Sequence, residues 1–369
     1  MSGRSRMLYG RRFIVSFIIG WTLVGLAASP PGYCQRAADR AVATTDSDAT
    51  VHISNLDVPF SSYASRQARQ QWVTRAHEPK GPGLEKGVAA ARAFYGRFND
   101  ALAARMQLIY PVSIENRVIG GVHTEVLTPK QGLSPDNEHR VLINLHGGAF
   151  AWGEGSGGEV ESIPIASVGR IEVITVAYRE GPEYSFPAAS EDVASVYRYL
   201  LKDHQPHQIG IYGCSAGGIL TAQSIAWFDH VGLPQPGAIG MFCGAAGRMS
   251  GDSLHIAPAL GGQTMQEHFE LRFPYFAAAH VAETDPLVYP INSTQLLAKF
   301  PPSLLIAGSR DFSLSSLFQT QRALVKQGVE TQLHVWDGLP HAFFVDPDLP
   351  ESAEVYSVVT NFFEHKLSR

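Results

Sequence analysis

Cysteine is scarce in this chain: three in 369 residues, at 34, 214 and 243. A disulfide framework needs more cysteines at closer spacing, so the fold rests on a core instead. Charge is also sparse, at 17% of residues with a net charge of −5, and no basic run occurs beyond the first dozen positions. Nucleic acid is therefore excluded as a partner class. No internal repeat of 20 to 50 residues and no long low-complexity tract interrupts the chain, which excludes solenoids and propellers. The H-E-x-x-H pattern and paired cysteines are absent, and Pro206 breaks the spacing between His204 and His207, so no metal site is expected. What is present is a 45% hydrophobic chain, long enough to bury a large core as one α/β domain with an added cap, or as two domains.

The first 34 residues read as an export leader. Arg4, Arg6, Arg11 and Arg12 precede an uncharged, mostly apolar run over 13–28, followed by a short polar stretch with Pro30 and Pro31. The run is shorter than the roughly 20 residues of a spanning helix. Cleavage after Cys34 is favoured over cleavage after Ser29, which would leave Pro30 first. Arg11-Arg12 weakly suggests the twin-arginine route. The expected location is thus periplasmic or secreted, with no stable membrane anchor once the leader is gone.

Residues 37–50 are small and polar and are expected to be loose. Helical patterning covers 61–76 and 84–108, divided by the breakers of 79–83. In the second segment Val88, Ala91, Phe94, Tyr95, Phe98 and Leu102 share one face. These helices either pack on the main core or cover a substrate. From about residue 114 strands alternate with helices. One early strand is expected over 117–128, and short apolar runs follow at 141–145, 171–176, 208–212, 238–242, 303–307 and 332–336. Uninterrupted apolar runs mark strands buried on both faces of a parallel sheet. With helices expected over 188–202, 215–228, 314–327 and 352–367, the pattern predicts a doubly wound α/β layer structure. Residues 244–288 break the pattern and suit an insertion near the strand carboxyl ends.

Chemistry concentrates at those ends. Gly213-Cys214-Ser215-Ala216-Gly217 follows an apolar run and opens a helical stretch. Glycines on both sides allow a sharp strand-to-helix turn that lifts the Ser215 hydroxyl clear of the sheet. A serine nucleophile needs a base, and the base needs an orienting carboxylate. His341 lies just past the last strand and Asp311 just past the one before it, with Glu283 and Asp285 as rival acids in irregular sequence. After the strand ending at Leu145 comes His146-Gly147-Gly148-Ala149-Phe150, whose glycine pair can turn backbone N–H groups towards an oxyanion. Gly153 to Gly158 also fit G-x-G-x-x-G, but they start several residues beyond their strand, which argues against a dinucleotide site.

Taken together, these segments resemble the hormone-sensitive-lipase branch of the α/β hydrolases. They are 146–150, 213–218, Tyr178-Arg179-Glu180-Gly181-Pro182-Glu183, Asp285-Pro286-Leu287, and the Asp311 and His341 stretches. The likeness covers 114 to the C-terminus. It implies an α/β-hydrolase fold with a mostly parallel central sheet and helices on both faces. It also implies a Ser215–His341–Asp311 triad, oxyanion donors from Gly148, Ala149 and Ala216 with Gly147 shaping the turn, and no cofactor. Two departures stand out: the family usually has a third glycine where Ala149 stands and an aspartate where Cys214 stands. Cys214 reads as a buried core residue. The organisation expected is a leader over 1–34, an N-terminal helical cap region over 35–112 and a catalytic domain over 113–369, with 244–288 as a candidate cap insertion. The partner expected is a small or medium carboxylic ester, with Phe150 and Trp152 lining its pocket; a homodimer is left open. A fainter similarity is to exported bacterial esterases that de-esterify sulfonylurea herbicides. An amidase or peptidase on the same triad, or a non-catalytic small-molecule receptor on the fold, are the alternatives.

Overall fold

The computed structural model describes residues 42–54, 56–78, 81–82, 86–261, 273–277 and 279–367. The export leader expected over 1–34 lies outside them, as does part of the cap insertion expected over 244–288. The chain divides into two compact units, 1–57 and 58–369. In the first, β1 (Val42–Thr45) and β2 (Val51–Ser54) form an antiparallel hairpin. Over 42–45 strand pairing thus replaces the loose conformation expected of 37–50, because Val42, Val51 and Ile53 favour extended backbone; residues 37–41 lie outside the described residues.

The second unit begins with α1 (Arg66–His77) and α2 (Val88–Ile109). Ser65 caps α1, its hydroxyl accepting from the Ala68 N–H at 3.0 Å. Next, β3 (Val112–Ile119) and β4 (Val122–Pro129) make an antiparallel hairpin. A single strand was expected here. Gly120 and Gly121, both at positive φ, supply the two-residue turn that splits it.

The rest winds as β5 (Val141–Leu145), α3 (Ser156–Gly169), β6 (Glu172–Val176), α4 (Ala188–Leu200), β7 (Ile209–Cys214), α5 (Ala216–His230) and β8 (Ala238–Phe242). Then come α6 (Asp252–Leu260), α7 (Pro274–Ala277), α8 (Thr294–Leu297), β9 (Ser303–Arg310), α9 (Leu314–Lys326), β10 (Thr331–Pro340) and α10 (Pro350–Lys366). Eight strands form one sheet in the order β10-β9-β8-β7-β5-β6-β4-β3. From β6 through β10 every neighbouring pair is parallel.

Side chains alternate across this sheet, so each strand feeds two cores. Val141, Ile143, Leu145 and Ile211 pack beneath α4, α5 and α9. Leu142, Tyr212, Ile306 and Phe242 pack against α3 and α10, where Ala103 and Met106 of α2 join them. Parallel strands covered on both faces require such continuous apolar sequence. No helix among the described residues is long and apolar enough to cross a membrane.

Candidate active site

Because β5, β7, β9 and β10 run parallel, the residues following them meet at one sheet edge. Ser215 occupies the turn between β7 and α5, with φ 57° and ψ −118°, a backbone region that non-glycine residues enter only under constraint. The constraint is steric and local. A Cβ on Gly213 would lie 2.1 Å from the Leu145 carbonyl oxygen, and one on Gly217 would lie 1.7 Å from it. Only glycine lets β7 turn this sharply into α5.

His341 follows β10. Its Nε2 lies 2.9 Å from Ser215 Oγ and its Nδ1 lies 2.8 Å from Asp311 Oδ1. Phe312 stacks on the imidazole at 4.2 Å. Asp311 is fully buried, and Oδ1 also accepts from the Ser313 N–H at 2.8 Å and the Ser313 hydroxyl at 2.7 Å. Burial works to raise this carboxyl, but the His341 charge and hydrogen bond, with the Ser313 donors, outweigh it and hold it below the usual carboxylate range. The rival acids are engaged elsewhere: Glu283 pairs with Arg248, and Asp285 accepts from the Leu287 N–H.

The 146–150 loop, expected to supply oxyanion donors, lies against the nucleophile turn, the Cβ position of Gly147 being 3.4 Å from Ser215 Cβ. Its peptide groups are fixed in turn by the His146 carbonyl accepting from Tyr178 Oη at 2.7 Å, the Gly147 N–H donating to Glu161 Oε1 at 2.8 Å, and the Gly147 carbonyl meeting His146 Nδ1 at 2.8 Å. Holding the Gly147 carbonyl on one side turns the N–H of Gly148 to the other. Among the described residues, nothing accepts from the Gly148, Ala149 or Ala216 N–H groups. Gly148 must be glycine, since a Cβ there would fall 1.6 Å from the Trp152 carbonyl oxygen. Ala149, where the family resemblance places a third glycine, adopts φ 55°, a left-handed conformation that costs an L-residue about 1–2 kcal/mol.

Phe150 does not face open space as expected. It is fully buried, stacks on Tyr275 at 5.0 Å and meets Phe273 and Phe276 edge-on. Its size serves the core. Trp152 is partly exposed and lies flat on Tyr95. Cys214 is buried, and burial pushes its thiol up to about 11. Gly153 and Gly158 serve packing: a Cβ on Gly153 would lie 2.2 Å from the Gly147 oxygen, and one on Gly158 2.1 Å from Thr175 Cγ2.

Two features escaped the sequence. Helix α3 was not anticipated, and with it Glu161, a buried carboxylate that touches both the oxyanion loop and the turn before Ser215. The cue was an acid set in the run Val160 to Ile165, since buried acids need partners. Among the described residues, one donor set has the spacing of a cation site: Cys243, Asp311 and His341, with ligand atoms within 4.8 Å of one another. Burial raises the Cys243 thiol well above its ordinary value, and the other two are already joined to each other, so this set does not fit a metal.

A family model described as alpha/beta hydrolase fold matches residues 142–345. The chain is 27% identical over 228 residues to an acetyl-hydrolase of Streptomyces hygroscopicus, covering 60% of this chain and 75% of that one. It is similar to the crystal structure of an esterase E25, with a TM-score of 0.74 and 28% identity over 86% of this chain and 98% of that one. It shares its fold with an esterase of the bacterial hormone-sensitive lipase family, with a TM-score of 0.69 and 24% identity, covering 82% and 97% of the two chains. The chain therefore belongs to the alpha/beta hydrolase fold family, as a serine hydrolase of the carboxylic ester class.

Proposed function

We propose that the chain hydrolyses small carboxylic esters through an acyl-enzyme on Ser215. One observation carries this: a hydrogen-bonded line runs from Asp311 through His341 to Ser215 Oγ, at 2.8 and 2.9 Å, while the N–H groups of Gly148, Ala149 and Ala216 on the neighbouring segments have no acceptor among the described residues. His341 Nε2 takes the serine proton as Oγ attacks the ester carbonyl, and the three N–H groups receive the tetrahedral oxyanion. The imidazolium then protonates the departing alcohol. Asp311, held ionised, fixes the imidazole tautomer with Nδ1–H towards itself and stabilises the charge on the ring. Water enters by the same route in reverse and releases the acid.

A short acyl group is supported by the Streptomyces hygroscopicus relative, an acetyl-hydrolase. Aryl esters of increasing acyl length, run beside matched anilides, test the reading. Acetate and butyrate esters should turn over fastest and anilides negligibly. Anilide hydrolysis at comparable rates would favour an amidase, and no turnover of any ester by folded protein would remove the proposal.

A further inference from the structure

Glu161 projects from α3 into the space between the oxyanion loop and the nucleophile turn, and it has no cationic partner among the described residues. Its carboxylate collects three donors: the Gly147 N–H at 2.8 Å on Oε1, and the Cys214 N–H and Asn144 Nδ2 at 3.1 Å each on Oε2. Pairing of β5 with β7 runs as far as Leu145 opposite Gly213. Beyond that point the two backbones part, one to form the oxyanion loop and the other the turn to Ser215. The Gly147 and Cys214 N–H groups are the first beyond the ladder on their chains to find a side-chain acceptor, and they find the same one. The segments are in close contact there: the Cβ position of Gly147 lies 3.0 Å from the Cys214 oxygen and 3.4 Å from Ser215 Cβ.

A planar carboxyl group with one accepting oxygen on each segment fixes their separation, as two ladder bonds would; burial pushes it up to about 8, and the Gly147, Asn144 and Cys214 donors act against that rise. The helix beneath is anchored in turn, with Tyr212 Oη donating to the Glu161 carbonyl at 3.1 Å and Ser162 Oγ 2.6 Å from Thr175 Oγ1.

We propose that Glu161 is a positioning residue of this hydrolase, setting the distance between Ser215 Oγ and the oxyanion donors of the 147–149 loop. The inference rests on the esterase reading above. It touches no substrate and acts through backbone. Catalysis by preorganised donors is sensitive to displacements of about 1 Å, so a loosened spacing lowers the chemical step more than substrate binding.

Glu161→Gln tests it. The amide keeps the shape but turns an accepting oxygen into an N–H donor, leaving either Gly147 or Cys214 without its acceptor. Asn144→Leu is the companion, because it destabilises the same spot while leaving both backbone bonds to Glu161 intact. Both are assayed with an aryl acetate, with active sites counted by end-point fluorophosphonate titration. Expected for Glu161→Gln is a fall in kcat of about tenfold to a hundredfold with KM within about twofold, whereas Asn144→Leu lowers Tm and leaves kcat near wild type. A wild-type kcat per titrated site in Glu161→Gln overturns the inference, as does an equal kcat loss in both variants. If Glu161→Gln does not fold, Glu161→Asp, whose shorter carboxylate reaches only one segment, is held to the same outcomes. Failure of the esterase reading looks different: the folded wild-type protein itself would not turn over the aryl acetate.

Discussion

Tyr95 of α2 lies face to face with Trp152, their ring centroids 4.7 Å apart and their planes 5° from parallel. One turn earlier on α2, Arg92 donates through Nε to the Ala151 carbonyl at 2.7 Å and through Nη2 to the Gly181 carbonyl at 3.2 Å, while pairing with Glu183. Helix α2 thus grips residues 151–152, where the loop after β5 ends. Replacing Arg92 by Met should lower kcat/KM on aryl acetates about fivefold or more, beyond any change in Tm. A shift in Tm with unchanged kinetics would make α2 passive packing.

Asp311 Oδ1 serves His341 Nδ1 and both Ser313 donors. An asparagine there can no longer fix the imidazole tautomer, so Asp311→Asn should lose about 10³–10⁴ in kcat while remaining folded. His341→Ala should do at least as much harm, and the double variant little more, because the members act as a unit. Steady-state kinetics on the three proteins check this; additive losses would contradict it.

Burial pushes the Glu180 carboxyl up to about 8 against the opposing charge of Arg92. A carboxyl whose folded value is raised gives stability that is fully present below its ordinary value of about 4.5 and is lost as pH rises through about 8, because the folded state holds the extra proton. Tm should therefore decline across that window, and Glu180→Gln should flatten the decline. Melting curves from pH 4 to 9 measure it. An unchanged slope in the variant would show that Glu180 is ionised in the folded protein.

Thiolate chemistry is suppressed at this site. With Cys214 pushed up to about 11 by burial and Cys243 raised well above its ordinary value by the same cause, neither thiol is nucleophilic near neutrality. Cys214→Ala should keep activity within about threefold, consistent with loss of a few packed atoms only. Iodoacetamide should leave native turnover intact. Rapid inactivation traced to Cys214 would reverse this assignment.

Gly217 faces backbone rather than a movable side chain, so Gly217→Ala cannot be relieved by a rotamer change. The cost should exceed about 3 kcal/mol, the range of severe single substitutions. Loss of folded yield, or a folded protein with a displaced and inactive Ser215, is the expected result; wild-type Tm and activity would contradict the geometry.

The sheet was legible because β5 to β9 are apolar runs bounded by turns, and the edge chemistry because glycine is required wherever backbone meets backbone around Leu145. Other parts were hidden for identifiable reasons. Helix α3 is buried for most of its length and carries Gly157, Gly158 and Pro164, so it shows neither an amphipathic period nor favourable propensity. The β3–β4 turn was disguised because Gly120-Gly121 sits inside a run of strand-forming residues. In the sequence Phe150 reads as pocket-lining because it directly follows the Gly147-Gly148-Ala149 turn. Its burial against Tyr275 depends on a segment more than a hundred residues away.

Ser215 is the proposed nucleophile, and the site of a fluorophosphonate adduct located by mass spectrometry tests that role most directly. One adduct per folded chain is expected, on Ser215, with ester turnover lost in step with labelling. An adduct on any other residue, or full turnover after Ser215 is completely modified, would contradict it.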